Sequence, residues 1–388
     1  MGLRMTVDRR ARAFLSLMLA AAVALVLAPA SRADDPGRWE AVTYTAVPLD
    51  YYQGTTAAPG GPLYFNGIYT GVFRAVPTQL PNGTWTTVET GRNENVIPAE
   101  VTATEGYEHA GDLTWAPTKS DEEPALAALL GDTGRLLLPL ECWIVTKDID
   151  KYACPESGSG NTAWTSTGAI GVVDARTLTW QYYVKLDERA LRKAMWAELS
   201  PNGKLLWTQG GEGTQRGEPG RDLLAFPVGG IVKANASLPN EPGPKLKPKV
   251  VLRGAVPPPD PRGDGKATQI TGATFFDGRL YVATQTALAS SHLLHVWSLN
   301  VDSCELLTGC DRRLEIEREI VGESEGLTVA CTLGDGERRA VLHWLVAPYN
   351  DAMKMPTFWD RPYGHIGQST VMSFTPVGGG GVERVCRE

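Results

Sequence analysis

The chain has 388 residues and a formal net charge of −7, with 37 Lys and Arg against 44 Asp and Glu. The basic residues are scattered, and no Lys/Arg stripe interleaved with aromatics occurs, which argues against a nucleic-acid partner. The 42 Gly and 27 Pro are spread along the whole chain, as a turn-rich β protein requires.

The N-terminus opens with a basic group, Arg4, Arg9, Arg10 and Arg12, followed by an apolar run from Ala13 to Leu27 and then Ser31 and Ala33 at the spacing a signal peptidase reads. This order predicts a secretory signal peptide over 1–33, a domain over 34–388, and an extracytoplasmic location. A membrane anchor is the rival reading, but the run is shorter than the ~20 residues that span a bilayer. No later segment has the length for a membrane span.

Helical periodicity is confined to Leu186–Met195, where Leu186, Ala190, Leu191 and Ala194 share one face. The rest reads as short strands rich in Val, Leu, Tyr, Trp and Thr, separated by turns. Five segments share one pattern: Gln53-Gly54-Thr55-Thr56, Gly111-Asp112-Leu113-Thr114, Ala197-Glu198-Leu199-Ser200, Thr271-Gly272-Ala273-Thr274 and Glu325-Gly326-Leu327-Thr328. Each is followed by a turn and an apolar strand, beginning near Leu63, Leu136, Leu205, Leu280 and Leu342. A third and fourth strand follow in several units, as in GVVDARTLTWQYYVKL with its turn at Ala175-Arg176-Thr177. Four strands per unit at irregular spacing predict an all-β fold, a single β-propeller of five blades, with six as the alternative. The stretch WEAVTYTAV from Trp39 either closes the ring beside the C-terminal strand or belongs to a degenerate sixth blade. A β-sandwich or β-helix is the competing architecture and leaves the recurring motif without a reason.

Residues 232–266 are Pro-rich and polar, predicting an exposed insertion around one strand, Val250–Leu252. Residues 116–133 form a second loop, and the SGSGN run at Ser157 lies in a third. All six cysteines (Cys142, Cys154, Cys304, Cys310, Cys331 and Cys386) follow the export signal, and an even number in an exported chain predicts disulfides. Spacing favours Cys142–Cys154 and Cys304–Cys310, which leaves Cys331–Cys386. A zinc site needs close pairs such as C-x-x-C, and none exists.

A propeller brings the first strand of every blade to one axis. The five equivalent blade-start positions are Gly54, Asp112, Glu198, Gly272 and Gly326; one residue earlier stand Gln53, Gly111, Ala197, Thr271 and Glu325, and two before those Tyr51, His109, Met195, Gln269 and Glu323. Asp112, Glu198, Glu325, Gln53 and Gln269 are therefore candidate ligands of a cation at the channel mouth, and His109, Asp112 and Glu323 candidate catalytic groups. Like carboxylates in a narrow space need a cation, a shared proton or hydrogen-bond donors, and an all-oxygen set suits Ca²⁺ or Mg²⁺. The bland alternative is a polar channel whose blade-start Ser and Thr only bond neighbouring strands.

Other candidates are weaker. His292 and His295 are three apart in a strand and face opposite ways. His343 reads as a satisfied strand residue, and His365 as a loop residue between glycines. Trp115, Trp143, Trp164 and Trp359 are candidates for a sugar-binding surface, although aromatics mostly fill blade cores. Asn82-Gly83-Thr84 and Asn235-Ala236-Ser237 match the glycosylation sequon. No G-x-S-x-G, P-loop or H-E-x-x-H motif occurs.

The hexapeptide Gly322-Glu323-Ser324-Glu325-Gly326-Leu327 resembles the blade starts of secreted propellers related to esterase-like phytases, and the acidic channel is similar to that of calcium-dependent, gluconolactonase-type lactonases. The resemblance implies a divalent cation at the channel mouth, where Glu325 falls. Two expectations result: an extracytoplasmic hydrolase of an ester, lactone or phosphoester, or a non-catalytic propeller that binds a glycan, peptide or partner protein. Either reading is of a monomer with a small-molecule or cell-surface ligand.

Overall fold

The computed structural model describes residues 39–48, 51–58, 62–67, 71–80, 85–116, 134–142, 168–187, 196–211, 219–234, 245–263, 268–288, 292–305, 309–320, 322–334, 337–348 and 369–376. The first strand, β1 (Trp39–Ala46), precedes five antiparallel sheets. Blade one is β2 (Gly54–Ala57), β3 (Leu63–Asn66), β4 (Val72–Gln79) and β5 (Trp85–Asn93). After helix α1 (Ala99–Glu105), blade two has an inner strand broken into β6 (Tyr107–Ala110) and β7 (Thr114–Ala116), then β8 (Arg135–Cys142), β9 (Ala169–Asp174) and β10 (Trp180–Lys185). Blade three is β11 (Glu198–Leu199), β12 (Leu205–Gly211) and β13 (Pro219–Pro227), then helix α2 (Val228–Ala234) and β14 (Val250–Leu252). Blade four is β15 (Gln269–Phe276), β16 (Arg279–Ala287), β17 (His292–Glu305) and β18 (Gly309–Ile320). Blade five is β19 (Gly322–Gly334), β20 (Glu337–Pro348) and β21 (Thr370–Pro376), completed on its outer side by β1.

The inner strands close a cycle. β19 packs on β2, β2 on β7, β7 on β11, β11 on β15, and β15 on β19. Alternation along each strand sends successive side chains to the two flanking blades. In β8, Leu136, Leu138 and Leu140 enter the cluster shared with blade one, which holds Tyr64 and Val72. Leu137 enters the cluster shared with blade three, which holds Leu206 and Phe226. The same division places Trp196, Trp207 and Val282 between blades three and four, Tyr281, Trp344 and Phe374 between blades four and five, and Phe65, Phe73 and Leu345 between blades five and one. The hydrophobic core is thus a set of joints between sheets, and each fully buried aliphatic or aromatic side chain contributes about 2 kcal/mol to them. The ring is a five-bladed β-propeller.

The closing role expected of the Trp39 stretch is met: β1 runs antiparallel to β21, from Trp39 opposite Pro376 to Ala46 opposite Thr370. Val250–Leu252 is a strand as expected, pairing with Leu223–Ala225. Cys304 on β17 and Cys310 on β18 form a disulfide. The partners Cys154 and Cys386 of the other two expected bridges lie outside the described residues, as do His365, both sequons, the signal segment, and Trp143, Trp164 and Trp359. Leu186 forms an isolated bridge with Leu246, and most of the helix expected over Leu186–Met195 lies outside the described residues. The periodicity gave no hint of α1, whose seven residues bury only Val101 and which stops at Gly106 in the left-handed region, φ 73°.

No helix among the described residues is long and apolar enough to cross a membrane.

Candidate functional site

The five blade starts meet at the ring centre, and three are glycine because backbones touch there. A Cβ on Gly54 would lie 2.6 Å from Asp112 Cα, one on Gly272 2.6 Å from the Leu327 nitrogen, and one on Gly326 2.6 Å from the Thr55 nitrogen. The other two positions, in blades two and three, carry acids, and these acids tie the ring together.

Asp112 occupies the break between β6 and β7. Its backbone bridges in parallel to Trp196, and its carbonyl accepts the Ala197 N–H at 3.2 Å. Its carboxylate accepts the Thr55 N–H on Oδ1 at 2.8 Å, and the Ala273 and Leu327 N–H groups on Oδ2 at 3.2 and 3.3 Å. One residue therefore bonds to all four other blades and fills the axis. Burial lifts its pKa well above the ordinary carboxylate range, against the pull of the three N–H donors.

Glu198 acts at the joint beside it. At other joints the repeated Thr supplies the bond between blades. Thr328 Oγ1 accepts the Ala57 N–H at 3.1 Å, and Thr56 Oγ1 accepts the Trp115 N–H at 3.0 Å. Blade three departs from this rule. The residue after Ser200 is Pro201, which has no N–H, and Ser200 Oγ turns to Asn202 Oδ1 and the Leu205 N–H. Glu198 Oε1 instead accepts the Phe275 N–H at 3.1 Å, and its carboxylate also bonds the Thr114 and Thr274 hydroxyls. Burial raises its pKa to about 7.

The third acid differs. Glu325 sits at a β-bulge, where the register of β19 shifts between Ser324 and Gly326; bulges of this kind re-aim a side chain. Its carboxyl group hydrogen-bonds Glu323, and it lies within Coulombic reach of Asp112 and Glu141. Burial and these three acids push its pKa well up. Glu323 is half-buried whereas Glu325 is buried, so the pair runs from interior towards the surface. His109 is buried as well, with Nδ1 2.5 Å from Glu141 Oε1. Asp112, Glu198, Glu323 and Glu325 thus lie around one centre, and His109 is joined to it through Glu141. Gln53 is buried one residue before Gly54, and Gln269 begins β15 half-buried.

The donor set does not suit one cation held jointly by Asp112, Glu198 and Glu325. Asp112 and Glu198 direct their oxygens at backbone N–H groups and hydroxyls. Among the described residues no three His, Cys, Asp or Glu side chains are grouped to hold a metal ion.

Two residue sets at this centre escape a reading of the first strands alone. Asn66 on β3 donates to the Ala110 and Gly111 carbonyls at 3.0 and 3.1 Å. On the second strands of blades three and four, Gln209 Oε1 accepts the Ile270 N–H and Gln285 Oε1 the Ser324 N–H, each at 3.0 Å. Both glutamines fall four residues after the residue facing the repeated Ser or Thr, Leu205 and Tyr281. In blade two that position, four beyond Leu137, is Glu141. An alignment of the second strands with one another exposes all three.

Outside the centre, His343 is buried with Nδ1 3.0 Å from Ser373 Oγ, the strand role expected of it. His295 is buried on β17, with Nε2 3.0 Å from Glu317 Oε2 and 3.8 Å from Asp260 Oδ2. Arg262 binds both of those carboxylates and so fastens the end of the Pro-rich segment to blade four. His292 is half-buried on the same strand, consistent with the opposed faces read from its spacing. Trp115 is half-buried.

No protein-family model and no curated protein matches the chain. Among solved structures it is similar to the PQQ-bound form of aldose sugar dehydrogenase from Streptomyces coelicolor, at 12% identity over 88% of this chain and 99% of that one, with a TM-score of 0.36. It is also similar to a thermostable family-43 glycoside hydrolase, at 9% identity over 84% of this chain and 93% of that one, with a TM-score of 0.45. Sqt1 of Saccharomyces cerevisiae is a further match, at 9% identity over 82% and 69% of the two chains, with a TM-score of 0.29.

Proposed function

We propose that this chain is an extracytoplasmic hydrolase of an ester, lactone or phosphoester, acting at the end of the ring where Glu323 and Glu325 meet. The observation that carries this reading is their hydrogen-bonded carboxyl pair, one member buried and the other half-buried. Two carboxyl groups that share a proton supply an acid and a base from one place. In the ester case, Glu323 as carboxylate takes a proton from water while the water oxygen bonds to the acyl carbon. Protonated Glu325 gives its proton to the leaving oxygen as the acyl C–O bond breaks. One water is consumed, an acid and an alcohol are released, and a proton passes back from Glu323 to Glu325 to reset the pair. His109, beside Glu141, is a further proton carrier. Asp112 and Glu198 hold the ring in shape and take no part in the transfer. The Gly322–Leu327 hexapeptide adds a motif-level likeness to hydrolytic propellers.

The test is a panel of p-nitrophenyl esters, lactones and p-nitrophenyl phosphate, run with Ca²⁺, with Mg²⁺ and with EDTA. Turnover that falls at least a hundredfold in Glu323→Gln and Glu325→Gln supports the reading. Absence of turnover under every condition, or full activity in both variants, sinks it. The rival is a non-catalytic propeller that binds a glycan, peptide or partner protein; the spending of Asp112, Glu198, Gln209 and Gln285 on bonds between blades favours it. It predicts an inert wild type on the whole panel.

A further inference from the structure

The second-strand position that holds Gln285 in blade four and Gln209 in blade three has one structural role. Its amide oxygen accepts the N–H two residues before the next blade start, at Ser324 and Ile270, and Gln209 Nε2 also donates to the Gly220 and Thr268 carbonyls. Blade two carries Glu141 there, with 1% of its surface exposed. Glutamine and glutamate have nearly the same shape, so packing does not choose between them. A carboxylate cannot donate to carbonyls, and burying its charge costs several kcal/mol unless a partner compensates. The position is also close enough to Glu325 for the two acids to repel. The fold alone would be better served by glutamine, and departures of this kind from a local rule concentrate at functional sites.

The compensation comes from the strand beside it. Glu141 faces His109 across the β6–β8 pair, with Oε1 2.5 Å from Nδ1 and both side chains buried. We infer that Glu141 is a positioning residue of the site: it fixes the proton of His109 on Nδ1 and so leaves Nε2 to exchange a proton with the reaction centre. A carboxylate oriented against one ring nitrogen sets the tautomer and the role of the other. The assignment of a reaction rests on the hydrolase reading; the pair itself does not.

The experiment compares the full-length wild type with Glu141→Gln, His109→Gln and Gln285→Glu. Proton NMR reads the downfield ring N–H that a carboxylate-bound imidazole gives, and thermal unfolding reads the fold. The chain has five histidines, so the signal is assigned by its loss in His109→Gln or, should that variant not fold, by selective ¹⁵N labelling of histidine. The expected result is loss of this one signal in Glu141→Gln with Tm unchanged or raised, because the new amide matches the residue native to blades three and four. The reverse change, Gln285→Glu, lowers Tm by at least about 2 °C. On an ester that the wild type turns over, Glu141→Gln lowers kcat about tenfold or more with KM within about threefold, and one limb of the pH profile moves.

A Glu141→Gln protein that keeps the ring signal, or that loses as much stability as Gln285→Glu, overturns the inference. A wild type that shows the signal and loses it in Glu141→Gln, yet hydrolyses nothing on the panel, defeats the hydrolase reading and retains the pair. A wild type that is active, with an unchanged pH profile in Glu141→Gln, defeats the inference and retains the hydrolase.

Discussion

Glu198 accepts the amide proton of Phe275 across the joint between blades three and four, 3.1 Å from Oε1. The bond stands in for one that a Thr hydroxyl makes at other joints, and the substitution brings a titratable group into the joint. The folded pKa of Glu198 is about 7, above its ordinary value of 4.5. The folded state therefore binds the proton more tightly, so this contribution to stability is complete below pH 4.5 and is lost as pH rises to 7. Glu198→Gln keeps an acceptor for Phe275 and removes the loss. The variant should gain on the wild type by about 2 kcal/mol between pH 4.5 and 7, the half-buried residue being partly screened. His343 works in the opposite sense: burial lowers its pKa to about 4 from 6.5, so the wild type weakens as pH falls from 6.5 to 4, and His343→Gln should flatten that limb. Urea unfolding of the three proteins across pH 4 to 8 checks both signs; parallel curves for all of them refute this account.

Asp112 serves three backbone N–H donors from three blades. Asp112→Asn replaces one acceptor oxygen with a donor facing other donors, at a cost of about 2 kcal/mol. Asp112→Ala leaves all three N–H groups unmet and should cost more. Equilibrium unfolding orders the two variants; an Asn variant as stable as the wild type at pH 7 would show the group to be protonated and little used as an acceptor.

Gly326 admits no side chain. A Cβ there lies 2.6 Å from the Thr55 nitrogen and 2.8 Å from Asp112 Oδ1, and both are held by the hub. Gly326→Ala should destabilise the protein by about 2 kcal/mol or more, because backbone rather than a flexible side chain must move. Gly278→Ala is the contrast: its φ of 72° makes the change unfavourable, yet nothing stands within 4 Å. A smaller Tm loss for Gly326→Ala than for Gly278→Ala counts against close packing at the axis.

Arg262 bonds Asp260 through Nε and Nη2 at 2.9 and 2.8 Å and reaches Glu317 on β18. Arg262→Gln should raise the rate of limited proteolysis within residues 245–263 while leaving Tm almost unchanged, since exposed ion pairs add little to global stability. High salt should have the same effect on the wild type. Equal cutting rates in the variant and the wild type at low salt argue that the segment is held by other contacts.

The blade starts were legible because geometry repeats them: close backbone approach demands Gly at Gly54, Gly272 and Gly326, and the joints demand a hydroxyl two residues on. The acids at Asp112 and Glu198 were legible as departures from that pattern, and so was their convergence. Their role was not, because the repeat carries no information about which N–H lacks a partner. The local cause of the role of Glu198 is that Ser200 Oγ is taken by Asn202 and the Leu205 N–H, which leaves the Phe275 N–H to Glu198, and this becomes visible only when the blades are docked. Glu141 and Gln285 escape notice in the sequence because a polar residue late in an apolar strand looks like a strand end. The register of β8 and β16 shows that it faces the next blade.

The pairing of β1 with β21 has a consequence for biosynthesis. Residues near both ends of the described ring belong to one sheet, so the last blade has no outer edge until Thr370–Pro376 has been made and can receive Trp39–Ala46. A partly synthesised chain can assemble at most the earlier sheets, and the first and last of these each keep one apolar flank uncovered. Closure of the ring therefore joins the first described strand to the last, and a chain that lacks Trp39–Ala46 or Thr370–Pro376 leaves blade five without its outer side.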